Sequence, residues 1–412
     1  MTRLLSTICT WVLVTPLIAH GAPSALDWNL VARVAYRSDP KIQKSALAVK
    51  TASQNYGLAE VAPNVNAVIA TTQDLYGGDG FGVSETVSIS QALFPILFAN
   101  PNLEEAAASF QKSQADFSIT SATVRLDLAT AFISLWANEK SVDLANKIVT
   151  RRQKNMELIS ARFNVGREHA GSKAWAGAQL SSAKNDLVRA EREVLVSRRR
   201  LQLLMGPYAQ ILDNADPSIA PLFSVIPPSP NVDQILAGHP KLRSAAANTQ
   251  VKIAGQRTVA IGNLPSVSGA LTTAHSGKSG STEIGMSAQV SIPLYSGRAP
   301  ILKEEIAATA VDSAEADTRA VRQALESDLR RGWTDLQNAK DDLATQRLFL
   351  EASQTRSEIA AAQYSSGLLS YENWDLIETE VINQLRQVLA RQKTMALTIA
   401  TWDSVAGKEL EQ

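Results

Sequence analysis

Four histidines, one cysteine and one glycine-lysine-serine triplet are the residues of this chain with the strongest claim to chemistry, and their spacing argues against each. His20, His169, His239 and His275 are scattered, and none has a second histidine or a cysteine at metal-ligand spacing. Gly277-Lys278-Ser279 resembles the end of a phosphate loop, but Thr272 stands where the first glycine of that loop belongs and no helix follows. The only cysteine, Cys9, lies in an apolar N-terminal run, and no G-x-S-x-G elbow is present. The sequence thus predicts no catalytic, cofactor-binding or metal-binding residues, and energy for any work must come from partners.

The elements around these residues carry more information. Forty basic and forty acidic residues cancel, with no block of like charge, so the electrostatic footprint of a nucleic-acid binder is missing. Met1-Thr2-Arg3, an apolar run from Leu4 to Ala19 and then His20-Gly21-Ala22 read as a secretory signal peptide over residues 1–22. Cys9 falls inside that segment, so no disulfide and no lipid anchor are expected of the mature chain. No later stretch reaches 18 uninterrupted apolar residues, which disfavours a helical membrane protein.

The second half repeats the first at an offset of about 201 residues. Val49-Lys50-Thr51-Ala52-Ser53-Gln54 returns as Val251-Lys252-Ile253-Ala254-Gly255-Gln256, Leu93-Phe94 as Leu294-Tyr295, and Glu104-Glu105 as Glu304-Glu305. Phe163-x-x-Gly166 becomes Tyr364-x-x-Gly367, and Gly206 becomes Gly407. Each half is one multi-element unit, because the period is far too long for a short-repeat solenoid. The first repeat is placed at 23–210, with a helix, a hairpin at 63–94, a long helix at 101–164 and a helix at 171–205. A linker at 211–235, containing Ile226-Pro227-Pro228-Ser229-Pro230 at its proline-rich core, leads to the second repeat at 236–412. There an opening helix precedes the hairpin at 265–295 and the helices at 300–365 and 371–406.

From Leu103 to Phe163 there is neither proline nor glycine, so a helix of roughly 90 Å is allowed. Leu128, Leu135, Val142, Val149, Met156 and Phe163 step by seven, as do Leu329, Leu336, Leu343 and Leu350 in the second half. Sustained heptads predict coiled-coil packing. After the glycines at 166 and 367, series such as Ala176, Leu180, Ala183 and Leu187 predict shorter antiparallel partners. Between Pro63 and Phe94, and between Pro265 and Tyr295, the period changes to two: Ile284, Met286, Ala288, Val290 and Ile292 alternate with small or polar residues. Glycine-rich loops at Tyr76-Gly77-Gly78-Asp79-Gly80 and Ser276-Gly277-Lys278-Ser279-Gly280 make each copy a β-hairpin. Strands of about ten residues can cross an outer membrane when tilted, but four strands close no barrel, and open edges are not tolerated in lipid. Three chains would supply twelve. Glu85 is the awkward residue, since it shares parity with Val83 and Val87.

Arg162-Phe163-Asn164-Val165-Gly166 and Tyr364-Ser365-Ser366-Gly367-Leu368-Leu369-Ser370 resemble the helical-tip motif of the TolC family of outer-membrane efflux and secretion channels. The resemblance covers the whole mature sequence and implies a mainly α fold with a small β part: long antiparallel coiled-coil helices forming a periplasmic α-barrel, and hairpins contributing to a trimeric 12-stranded outer-membrane β-barrel. It implies a homotrimer that meets a periplasmic adaptor and an inner-membrane transporter, with Val165, Gly166, Gly367, Leu368, Leu369 and Ser370 at the docking tips. The first tip departs from the motif at Arg167-Glu168-His169, which puts its adaptor contact in doubt. Some family members carry gate acids six and nine positions after the second tip glycine, where this chain has Asn373 and Leu376. Neighbouring Glu372, Asp375 and Glu378, with Tyr364, are then candidates for a gate of crowded carboxylates that would favour cations. The alternative from another class is a periplasmic coiled-coil scaffold or adaptor with no pore.

Overall fold

The computed structural model describes residues 28–61, 65–74, 82–92, 100–206, 230–276, 280–292 and 297–410. The signal-peptide reading, the loops read at 76–80 and 277–279, the Leu93-Phe94 and Leu294-Tyr295 pairs and the proline-rich part of the linker lie outside them. In chain order the elements are α1 (Trp28–Ser38), α2 (Pro40–Val61), β1 (Val65–Asp74), β2 (Gly82–Ala92), α3 (Pro101–Asn164) and α4 (Ala170–Met205). The second half follows with α5 (Val232–Gly238), α6 (Pro240–Gly262), β3 (Ser266–Ser276), β4 (Ser281–Ser291), α7 (Ala299–Ser366) and α8 (Tyr371–Val405).

The two longest helices begin where the sequence supplies a start. The Asn100 side chain accepts the Leu103 amide and Pro101 opens α3, whose 64 residues extend about 96 Å. Each repeat opens with two helices rather than the single one expected. Asp39-Pro40 and His239-Pro240 break them, because the residue before proline is pushed out of the helical region. Asp39 and His239 then cap α2 and α6 by accepting the amides of Lys41 and Lys241. Helix α5 also starts inside the segment assigned to the linker, before residue 236.

Helix α3 is the hub, packing on α2 and α6 along one part and on α4 and α8 along the other, while α7 packs on α6 and α8. The helices therefore lie side by side, with α4 and α7 on the outer flanks of the α4-α3-α8-α7 row. The heptad seam is the core: Leu128 and Leu135 meet Leu201 and Met205 under Trp28 and Val31 of α1, and Leu325, Leu329 and Leu336 meet Trp402 under Leu236 of α5.

The two hairpins join through β2 and β3 into one antiparallel sheet of order β1-β2-β3-β4. Its register sorts the side chains, since directly opposed residues share a face. One face carries Ala67, Ile69, Val83, Val87, Ile89, Val267, Leu271, Ile284, Met286, Ala288 and Val290. The other is mainly Ser, Thr, Ala and Gly. The apolar face is uncovered within the protomer: Met286 is 90% and Ile284 77% exposed. Register also places Glu85 in the polar row Thr71, Glu85, His275, Thr282 toward the loop end of the strands, between the main apolar band and Val83.

Candidate functional site at the helical tips

Helices α3 and α7 both end in a turn built on a left-handed glycine, Gly166 at φ +72° and Gly367 at φ +84°. In each turn the amide that follows the glycine bonds back five positions, Arg167 to the Arg162 carbonyl and Leu368 to the Gln363 carbonyl, both 2.9 Å. This Schellman geometry satisfies carbonyls that a helix end would otherwise leave open, and a side chain at the glycine would be strained by φ alone. Beside the glycines, Val165 is 69% and Leu368 82% exposed. Ser370 caps α8 through the Asn373 amide, and Leu369 packs inward on the aromatic cluster. Each tip thus presents one large aliphatic side chain to solvent.

Directly above the tips lies an aromatic box that ties the two turns together. Tyr364 is fully buried and stacks on Trp374 at 4.4 Å, with Tyr371 against both. The Arg162 guanidinium sits 4.6 Å from the Tyr364 ring centre and donates to the Tyr364 carbonyl at 2.8 Å. The Tyr364 hydroxyl donates to Glu168 at 2.8 Å. Burial pushes the Tyr364 hydroxyl far above its ordinary range, with the Glu168 hydrogen bond adding to the effect, so it remains a donor at any physiological pH.

About two turns higher the acids proposed from sequence come into view. Glu378 is 2% exposed and is gripped by Arg151 through both carboxylate oxygens, with Ser357 donating to it as well. Burial would raise its pKa, but the Arg151 and Ser357 hydrogen bonds outweigh that and hold the carboxyl below its usual value. Asp375 pairs with Arg152 at 2.9 Å, and its second oxygen accepts from Gln179 at 2.7 Å and the Trp175 indole at 3.2 Å. Arg152 also reaches Thr379 at 3.0 Å. Glu372 differs. It is exposed at the start of α8, its carboxyl lowered by the backbone amide there and the Ser370 hydroxyl, with His169 3.5 Å away.

Two of the three carboxylates expected to crowd one another are therefore each clasped by an arginine of α3. The partners Arg151, Arg152, Ser357 and Gln179 were not singled out from sequence. The available signal was the Arg151-Arg152 doublet on a helix that otherwise presents a heptad seam, matched by acids three apart on α8.

The sequence profile of outer membrane efflux proteins matches residues 31–207 and again 231–401, once in each repeat. The chain belongs to the outer membrane efflux protein family. No curated protein matches it by sequence. Among solved structures this efflux protein is similar to the outer membrane protein VceC from Vibrio cholerae, at 15% identity and TM-score 0.80, over 92% of this chain and 96% of that one. It is also similar to the outer-membrane channel OprN, at 15% identity and TM-score 0.80 over 93% and 91%. The MtrE channel of Neisseria gonorrhoeae, in its open state, matches at 16% identity and TM-score 0.78 over 93% and 90%. At these identities the structural likeness establishes the fold, and family membership establishes the role: an outer-membrane efflux channel with a helical tunnel extending into the periplasm. The apolar sheet face then meets lipid and the polar face the lumen. Eleven-residue strands at about 3.4 Å per residue, tilted as barrel strands are, span about 25 Å, the height of a barrel's apolar band. A pore-free periplasmic scaffold has no support.

Proposed function

We propose that this efflux channel works as a homotrimeric passive duct, docked through its tips to a periplasmic adaptor and an inner-membrane pump, and held shut by the clasp between α3 and α8. The clasp is the observation that carries this reading. Arg151 to Glu378 and Arg152 to Asp375 join the coil of the first repeat to the coil of the second just above the tips, where separating the coils would widen the entrance. Breaking one partner of such a buried pair leaves an uncompensated charge and costs roughly 3–5 kcal/mol, somewhat less here because Arg151 is partly solvated.

Trimerisation is supported by unfinished flanks. Strands β1 and β4 are both edges, and the outer helices leave Val188, Leu195, Val196 and Leu203 of α4 and Leu348, Phe349 and Ile359 of α7 exposed. Open edges are excluded in lipid, and three copies give the twelve strands a closed barrel can use. Docking is supported by Val165 and Leu368, exposed aliphatics beside rigid glycine turns. Crosslinking and mass measurement of the full chain in mild detergent test the assembly: a trimer is expected, and a stable monomer would overturn it.

A further inference from the structure

The polar face of the sheet has an uneven charge. At its parity the four strands place Asn66, Val68, Ala70 and Thr72, then Ser84, Thr86, Ser88 and Ser90, then Ser266, Ser268, Ala270, Thr272, Ala274 and Ser276, and finally Ser281, Glu283, Gly285, Ser287, Gln289 and Ser291. No Lys, Arg or His occurs at this parity. Glu283, set within β4 opposite Ala274, is acidic. The residues in the row of Glu283 and in the adjacent rows of its face are Ala, Ser, Thr, Gly and Val, so no cation within the sheet neutralises it.

We infer that Glu283 gives the exit barrel a preference for cationic over anionic passengers. The inference rests on the reading of the polar face as the lumen wall. Small hydroxyl and methyl groups leave the bore wide and offer a passing molecule little to bind, so the field of the fixed carboxylate is what distinguishes one charge from another. A lumen walled by low-dielectric protein focuses that field, and each further copy of the chain contributes another carboxylate of the same sign. The passengers favoured are cations and amphiphiles with an ammonium or guanidinium group.

The reporter is a cysteine at Ala274, the register partner of Glu283, where facing Cβ atoms lie about 5 Å apart. In a full-length background with Cys9, the only native cysteine, replaced by Ser, the reaction rates of Ala274→Cys with trimethylammonium and sulfonate methanethiosulfonates are compared. The cationic reagent should be favoured by about tenfold relative to a free thiol, a factor that shrinks as salt is raised. Adding Glu283→Gln, or Glu283→Ser to match the surrounding face, should return the ratio to the free-thiol value, while Glu283→Asp keeps it. Met286→Cys, on the opposite face, should react with neither. A ratio unmoved by the neutral variants overturns the role of Glu283. Reaction at Met286 instead of Ala274, or at neither, overturns the lumen assignment beneath it.

Discussion

The two tips of the chain share a backbone and differ in what their side chains do. The first spends its residues on the second repeat: Arg162 binds the Tyr364 and Ser365 carbonyls, Glu168 takes the Tyr364 hydroxyl, and His169 stands near Glu372 while capping α4. In the second tip Ser370 and Leu369 serve their own helix, and Leu368 is left to solvent. Duplication supplied two equivalent turns. Divergence made the first a fastening and left the second outward. The departure of Arg167-Glu168-His169 from the tip motif thus has a physical use, since a Leu-Ser pair there would offer neither a carboxylate to the Tyr364 hydroxyl nor an imidazole to Glu372.

The comparison can be broken most strongly at the two exposed aliphatics. Leu368→Asp should reduce adaptor-dependent export at least tenfold with the trimer intact, because a carboxylate in the centre of an apolar contact loses the burial energy and must be desolvated. Val165→Asp should cost less. Equal losses in an export assay would mean that both tips dock alike.

A smaller effect separates fastening from folding. Glu168→Gln replaces a charged acceptor of the buried Tyr364 hydroxyl with a neutral one and should weaken the closed tip by about 1 kcal/mol, read as more frequent opening in planar bilayers. The corresponding change in the second tip, Leu369→Ala, should lower thermal stability instead, because Leu369 packs in the aromatic cluster.

The smallest expected effect contrasts the breaks in the two repeats, Asp39-Pro40 and His239-Pro240. His239 is buried and caps α6 only while Nδ1 is unprotonated, with Nε2 bonded to the Val405 carbonyl at 3.0 Å. Burial lowers its pKa, the Val405 bond opposing and Lys241 adding slightly. A histidine with a depressed folded pKa contributes stability that is complete above its unfolded value of about 6.5 and is lost as pH falls through the lower folded value. Melting temperatures at pH 7.5 and pH 5.5 should therefore differ by a cap's contribution of about 1 kcal/mol, and His239→Asn, whose amide caps without titrating, should flatten the difference. An unchanged pH dependence in His239→Asn would remove this role.

Much of this architecture could be read in the chain because its signals are local. The absence of proline and glycine from 103 to 163 permits α3, the seven-residue steps of Leu128, Leu135, Leu329 and Leu336 mark the buried seam, and alternation marks the strands. Short α1 and α5 were missed, since one to three helical turns before a proline carry little periodicity. The joining of β2 to β3 was missed too, because pairing across some 190 residues leaves no local trace. The arginine partners of the acids were missed for the same reason. Asp375 and Glu378 read as candidates for a gate of crowded carboxylates on α8, while their arginines lie 223 and 227 residues away, beyond the reach of any helical spacing rule. Glu85 looked misplaced until register showed which row it joins.

The central claim, that the clasp between α3 and α8 holds the entrance shut, is tested most directly by exchanging its charges and recording single-channel conductance of the reconstituted full chain. Glu378→Arg sets two cations against each other and should shift the closed-to-open balance by on the order of a hundredfold toward open. Glu378→Arg combined with Arg151→Glu restores an opposite-charge pair and should recover most of the closed time. A channel that stays closed with Glu378→Arg, or one that the double exchange leaves as open as the single change, would contradict the account.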